Sequence, residues 1–200
     1  MLHHFPLRLR PAVAALWAID EAMAGVVAGA SQPALAGIKL AWWREALARL
    51  DRDPAPPEPR LRAVAETILP LGISGTEVAA LEDGWSGLLD DCPDAAAAGR
   101  AGALLLKLEA RLFGVADPLV EQSGALVFLT NALRRNLGDF GETRASLIRG
   151  LAGRRVSRAM RPITLAARLA ARDLAEPEGT PGRALAMIAH RLTGIIARGN

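Results

Sequence analysis

The apolar positions of this chain never settle into the alternation of a strand; proline, glycine and short polar clusters instead divide it into segments of helical character. Pro11 sits well at the first turn of a helix running to about Val27, and Ser31 is placed to cap a second, from Pro33 to about Leu50, that carries Trp42 and Trp43. Between Asp51 and Pro59 four prolines forbid a helix and predict an extended, exposed linker. Further helices are predicted at Leu61–Leu69, Thr76–Leu89, Pro93–Phe113, Pro118–Leu137, Thr143–Leu151, Arg161–Leu174 and Gly182–Arg198. Gly114 and Gly138 stand where C-terminal glycines belong. No internal repeat is visible, and no stretch argues for a strand.

Composition points the same way. A chain of 200 residues suits one domain with a substantial core, and a hydrophobic content of 51%, carried largely by Ala and Leu, favours helices. The predicted fold is therefore all-α, a single-domain helical bundle over residues 1–200 with the 51–59 segment as a loop within it. With 4% aromatic residues, aliphatic side chains must fill the core. The one cysteine, Cys92, excludes an internal disulfide and fits a reducing compartment; it precedes Pro93 with no histidine near it in sequence, and reads as a thiol without a catalytic role. Ala12 to Ile19 follows Arg8 and Arg10 and precedes Ala28-Gly29-Ala30, as in a signal peptide, but Asp20 and Glu21 interrupt the apolar region. No run approaches the ~20 uninterrupted apolar residues that span a bilayer. The expectation is a packed helix and a cytoplasmic location, with peripheral membrane contact left open.

Charge changes the picture in the second half. Residues 1–100 carry 9 Arg/Lys against 13 Asp/Glu, whereas residues 101–200 carry 15 against 8. Between Thr143 and Arg172 there is no acid, while Arg144, Arg149, Arg154, Arg155, Arg158, Arg161, Arg168 and Arg172 all fall there. Guanidinium groups in such density suit a diphosphate, an acidic lipid surface or an acidic partner, or else form a solvated face paired with the acidic first half. Nucleic acid is not expected, because the stretch has no aromatic residue for base stacking. His3, His4 and His190 are too few and scattered for a metal cluster, and His190 is expected to meet the dipole of the last helix or solvent. Adjacent helical residues point about 100° apart, so one of Trp42 and Trp43 should face the core and the other an edge.

Two segments carry a resemblance. Leu129-Thr130-Asn131-Ala132-Leu133-Arg134-Arg135-Asn136-Leu137-Gly138-Asp139 resembles the motif LTNxLRDxxED, the second aspartate-rich motif of the squalene/phytoene synthase family. Its first Asp falls on Arg135 and its Glu on Gly138. Trp17-Ala18-Ile19, followed by Leu40-Ala41-Trp42-Trp43-Arg44-Glu45-Ala46-Leu47, is similar to the family's YAFCRxxDDxxDE helix and its LxxWRxxL helix. That register places the paired acids on Ala24, Gly25, Ala28 and Gly29, none of which ligates a metal. The family's RGRxYLP segment is not found, and the chain has no Tyr. The resemblance spans roughly Ala12 to Asp139.

The resemblance implies a helical bundle of the isoprenoid synthase type. Active members join two farnesyl or geranylgeranyl diphosphates head to head, through a cyclopropyl intermediate, while Mg²⁺ on two acidic helices draws off the diphosphate and a central cavity receives the prenyl tails. By the same resemblance this chain is a short, divergent, catalytically inactive member that needs no cofactor and acts as a scaffold or assembly factor, by analogy with a branch that serves respiratory complex I assembly. Asn131, Arg134 and Asp139 are then residual motif positions. Arg134, Arg135, Arg154, Arg155 and Arg158 would meet a protein partner or anionic lipid, and Trp42, Trp43 and Phe128 would line a residual apolar cavity. Two alternatives stand beside it: a Mg²⁺-dependent prenyltransferase using Asp20, Glu21, Asp139 and Glu142 in an altered geometry, and a metal-independent binder of prenyl diphosphate or lipid in which Arg135 neutralises charge in place of Mg²⁺.

Overall fold

The computed structural model describes residues 2–90, 93–172 and 181–198; Cys92 and the predicted helix end at Leu174 lie outside the described residues. Among these are ten α-helices: α1 (Arg10–Ala28), α2 (Pro33–Arg49), α3 (Pro59–Thr67), α4 (Gly75–Ala79), α5 (Glu82–Ser86), α6 (Ala95–Leu112), α7 (Val120–Arg134), α8 (Gly141–Leu151), α9 (Leu165–Arg172) and α10 (Pro181–Thr193). They form an all-α, single-domain bundle consistent with an isoprenoid-synthase-like fold. α1 packs against α2, α3, α5 and α6, while α7 lies along α6 and holds α8 and α9 on its other side.

Proline and glycine set most of the helix boundaries as expected. α2 nevertheless begins without Ser31 as its cap: Gln32 is the N-cap residue and makes no side-chain bond. Pro33 accounts for this, since it presets the helical φ and has no N–H to satisfy. The Asp51–Pro59 segment is free of helix up to Pro59, and it is pinned at its first residue. The Asp51 carboxylate accepts the N–H groups of Gly75 at 2.5 Å and Thr76 at 3.0 Å, and the Thr76 hydroxyl at 2.6 Å. Burial raises that carboxyl, but these donors outweigh it and hold the group below its ordinary value.

The single helix expected over Thr76–Leu89 is instead α4 and α5. Ser74 and Glu77 cap α4 reciprocally, and the chain tightens at Ala80–Leu81, where the Leu81 N–H bonds the Val78 carbonyl at 3.1 Å. Two fixed contacts with α2 hold the halves. Gly75 lies against the Leu47 carbonyl with no room for a Cβ, and Arg44 pairs with Glu82 at 3.0 Å and Asp83 at 2.5 Å. Trp85 thereby turns into the core, where its ring stacks at 4.4 Å on Phe128 of α7.

α6 and α7 end in the same way. Gly114 is left-handed (φ 63°), with Val115 N–H bonded to the Ala110 carbonyl at 3.1 Å. After α7 the left-handed residue is Asn136 (φ 58°), with Leu137 N–H bonded to the Ala132 carbonyl at 3.0 Å. α7 therefore stops at Arg134 instead of reaching Leu137, and Gly138 lies beyond its cap. The last helix is also shorter than predicted. Gly194 (φ 75°) ends α10, and Ile195 to Ala197 run back beside residues 152–156 through two isolated β-bridges, a pairing too short to leave an alternating pattern. His190 is consequently not in solvent: it is buried, with Nδ1 2.9 Å from the Ile195 carbonyl and Nε2 3.1 Å from both the Thr164 hydroxyl and the Arg161 carbonyl.

The Leu7–Ala28 helix is, by length and composition alone, long and apolar enough to cross a bilayer; half of its apolar window is buried inside the bundle.

The closest helix contact is between α6 and α7, where Gly102 and Gly124 face each other and a Cβ on either would strike the other's backbone. Gly124→Ala should therefore destabilise the protein by about 2–3 kcal/mol in chemical denaturation despite its better helix propensity; a neutral or stabilising effect would show that the helices separate without cost.

Candidate functional site

One stripe of α1 faces a surface cleft of about 660 Å³, closed by α2 and α3. Ala18, Glu21, Ala22, Gly25 and Gly29 form its floor at helical spacing, with Lys39, Trp43 and Arg60 around it. Gly25 and Gly29 are two of the four positions where the resemblance places paired acids. The other two diverge: Ala24 is buried in the core and Ala28 is exposed. Trp43 is buried and Trp42 is 48% exposed, edge-on at 5.1 Å, the division expected for adjacent helical residues. The Arg60 guanidinium stands 5.9 Å above the Trp43 ring and pairs with Glu58 at 3.1 Å. The cleft thus has a glycine floor, one aromatic wall and cations from two helices.

The end of α7 meets this stripe. Arg135 reaches across and places Nη2 2.7 Å from both Glu21 oxygens. At the position of a motif Asp the chain therefore presents a guanidinium, and it is spent on the acid one turn before Gly25. Thr130 of the same LTN segment ties α7 to α8. Thr130 is buried, donates to the Leu126 carbonyl at 2.7 Å and accepts from Arg144 Nε at 3.1 Å, while Arg144 Nη2 donates to the Ala170 carbonyl at 2.5 Å. Asn131 is half-buried on α7, and Arg134 is exposed in its last turn, where a cation favours the helix dipole. Asp139 lies past the left-handed Asn136, off the helix, and its Oδ1 accepts from the Gly141 N–H at 3.2 Å.

These residues do not fit a Mg²⁺ cluster. The four small positions of α1 offer no side-chain oxygen, Arg135 offers only donors, and three of the four candidate acids have other partners, while Glu142 is exposed in the first turn of α8. Asp20 is buried against Trp85, Glu21 is held by Arg135, and Asp139 caps a backbone group. Among the described residues no group of three His, Cys, Asp or Glu side chains could hold a metal. Phe128 sits in the core against Trp85, so the space between α1, α5 and α7 is filled there by aromatic rings.

The arginine-rich stretch divides by direction. Arg144 and Arg168 are buried and Arg161 half-buried; Arg168 Nη1 donates to the Ile196 carbonyl at 3.0 Å, and Arg161 Nη1 to the carbonyls of Arg191 and Leu192 at 2.8 and 3.0 Å. Burial pulls the Arg144 and Arg168 guanidiniums below their ordinary values, and neighbouring arginines add to this. Arg149, Arg154, Arg155 and Arg158 remain exposed.

Two carboxyls beside the site are buried; sequence reasoning missed Glu109 and named Asp20 only as a candidate metal ligand. Trp17 and Asp20, three residues apart on α1, each make an indole–carboxyl bond: Trp17 Nε1 donates to Glu109 Oε2 at 3.1 Å, and Trp85 Nε1 donates to Asp20 Oδ1 at 2.9 Å. Burial pushes Glu109 up to about 8, against the Trp17 bond that favours its charged form; its second oxygen is buried with no partner. Burial likewise pushes Asp20 up to about 7, opposed by the Trp85 bond, with Glu21 raising it further and Arg135 lowering it. The signal was present: Glu109 interrupts an otherwise apolar face between Leu105 and Leu112.

Residues 1–93 match the squalene/phytoene synthase family model. The match includes the whole α1 stripe, Lys39, Trp43, Arg60 and Trp85, and stops before the LTN segment. No curated protein and no solved structure matches the chain.

Because both buried acids have folded-state values above those of the unfolded chain, the native state binds the extra protons. Their contribution is fully present below the ordinary carboxylate range and is lost as pH rises towards 8. Urea melts should show stability falling from pH 5 to pH 8. Glu109→Gln, which keeps the acceptor for Trp17, should flatten most of that fall; an unchanged slope would mean that Glu109 titrates like an exposed acid.

Proposed function

We propose that this chain is a catalytically silent, divergent relative of the squalene/phytoene synthases, folded as one such domain over residues 1–200, that acts as a scaffold or assembly factor. The observation that carries the reading is the Arg135–Glu21 ion pair joining the two segments where the resemblance places metal-binding acids. Ionising a prenyl diphosphate needs bridging cations against the leaving group, and here Asp20, Glu21 and Asp139 are engaged within the fold. In this reading the protein is cytoplasmic with peripheral contacts, and Arg134, Arg154, Arg155 and Arg158 face an acidic partner. An analogous role in respiratory complex I assembly is the precedent within the family.

A second reading rests on the cleft itself. Lys39 and Arg60 stand over Gly25 and Gly29, so a diphosphate would find cations where the enzymes supply Mg²⁺, with the Trp43 ring beside its prenyl chain. This makes the protein a metal-independent binder of prenyl diphosphate.

Calorimetry with farnesyl diphosphate, with and without Mg²⁺, separates the readings. The scaffold predicts no heat of binding in either condition and no condensation product. Tight Mg²⁺-dependent binding, or product, would sink it and restore a prenyltransferase. Binding that ignores Mg²⁺ establishes the carrier, and Lys39→Ala with Arg60→Ala should then weaken it by at least about tenfold, the loss expected for two charge-assisted contacts.

A further inference from the structure

A second cleft, of about 660 Å³, lies between the N-terminal segment and the C-terminal helices and shares no residue with the α1 cleft. His4, Arg8, Arg158, Arg161 and Arg191 line it above a floor that includes Phe5 and Phe113, whose rings meet at 5.4 Å. No acid lines it. The cause lies in the sequence: the segments that bring these cations together, 2–19, 143–172 and 181–198, contain no Asp or Glu at all. The acid nearest in sequence to the floor, Asp117, is spent on the N–H groups of Leu119 at 2.9 Å and Ser157 at 3.3 Å. Arg161 and Arg191 are partly tied to backbone carbonyls, but Arg8 and Arg158 are exposed and make no ion pair among the described residues.

Large aliphatic side chains surround this charge. Leu192, on the rim, is 73% exposed, and Ile188 and Leu185 continue its line along α10 at 56% and 67%, within one face of the helix. Leu7, beside Arg8, is 76% exposed. The opposite face of α10 is buried through Ala186 and His190. An apolar ridge flanked by unpaired arginines on a partly buried amphipathic helix is the arrangement of an interfacial membrane contact.

We propose that this face docks on an anionic membrane surface: Arg8, Arg158 and Arg191 bind phospholipid phosphates, while Leu7, Leu185, Ile188 and Leu192 enter the headgroup–acyl boundary. A membrane fits better than a protein, because exposed aliphatic side chains set among cations match an acyl boundary beneath anionic headgroups. The positive field also reaches His4, whose imidazole is held below its ordinary value first by burial and then by Arg191, the N-terminal amine and His3; a phosphate in the cleft would reverse the charge terms.

The test is vesicle flotation of the full chain with phosphatidylcholine alone and with phosphatidylcholine mixed with phosphatidylglycerol. Binding is expected only to the anionic vesicles and should weaken with salt. Arg8→Gln with Arg158→Gln should lower the partition coefficient roughly 25-fold, from about fivefold per arginine at a membrane surface. Leu7→Ser with Leu192→Ser should abolish binding at unchanged thermal stability, since both side chains are exposed. Arg49→Gln on α2 should leave binding unchanged. The proposal is overturned by failure to bind anionic vesicles, or by binding that neither double variant affects. It is overturned equally if glycerol phosphate shifts the His4 resonances while vesicles do not bind, which would make the cleft a soluble-phosphate site. A dimer by light scattering that Leu192→Ser dissociates would assign the ridge to a second copy instead.

Discussion

The rotation of α1 about its own axis is the constraint on which the rest of the molecule depends, and two indole–carboxyl bonds set it. Trp17 and Asp20 lie one turn apart, and they reach α6 and α5 with opposite polarity, one as donor and one as acceptor. A slip of one residue would turn the helix by about 100° and break both bonds within an apolar interior, leaving two buried carboxyls and two indole N–H groups without partners. The same rotation sends Glu21, Gly25 and Gly29 outward. The polar ties in the core thus decide which residues of α1 the cleft displays, a positional specificity that aliphatic packing alone does not supply.

Charge is distributed by a shortage of acids. In the C-terminal half the arginines outnumber the carboxylates, and several find oxygen in the backbone instead: Arg144 at Ala170, Arg161 at Arg191 and Leu192, Arg168 at Ile196. These bonds draw α8, α9, α10 and the returning chain after α10 together. They satisfy the guanidinium groups only in part, since Nε of Arg161 and Arg168 is buried without a bond. The excess that cannot be used inside is pushed to the surface at Arg149, Arg154, Arg155 and Arg158.

The helices were legible in the sequence because proline and glycine act locally. Pro11, Pro33 and Gly114 each impose a backbone conformation regardless of what packs against them, so α1, α2 and the end of α6 lie within a residue or two of their predicted bounds. What was not legible depends on tertiary contacts. The break between α4 and α5 comes from two anchor points on α2, and the end of α10 from the pairing of Ile195 to Ala197 with a distant segment. That Gly25 and Gly29 share one face of α1 followed from their spacing of four residues. The partner of Arg135 did not, since Glu21 is 114 residues away and local spacing is silent about it. Direction within the arginine stretch was equally hidden, because the same residue type serves as an internal clasp at Arg144 and a solvated charge at Arg154.

The backbone after α7 is not shaped to carry the acidic motif that the segment resembles. Asn136 ends the helix by its left-handed turn, and Gly138 follows with a φ of 153° and its missing Cβ only 2.6 Å from the Phe140 ring. A carboxylate introduced at 138 would meet that ring, and one introduced at 135 would repel Glu21. The helix would also have to continue past 136, and Phe140 to vacate its place in the core, before the new acids could share a face. A single substitution therefore cannot assemble a ligand set at this end of α7, because backbone and aromatic ring would have to move together.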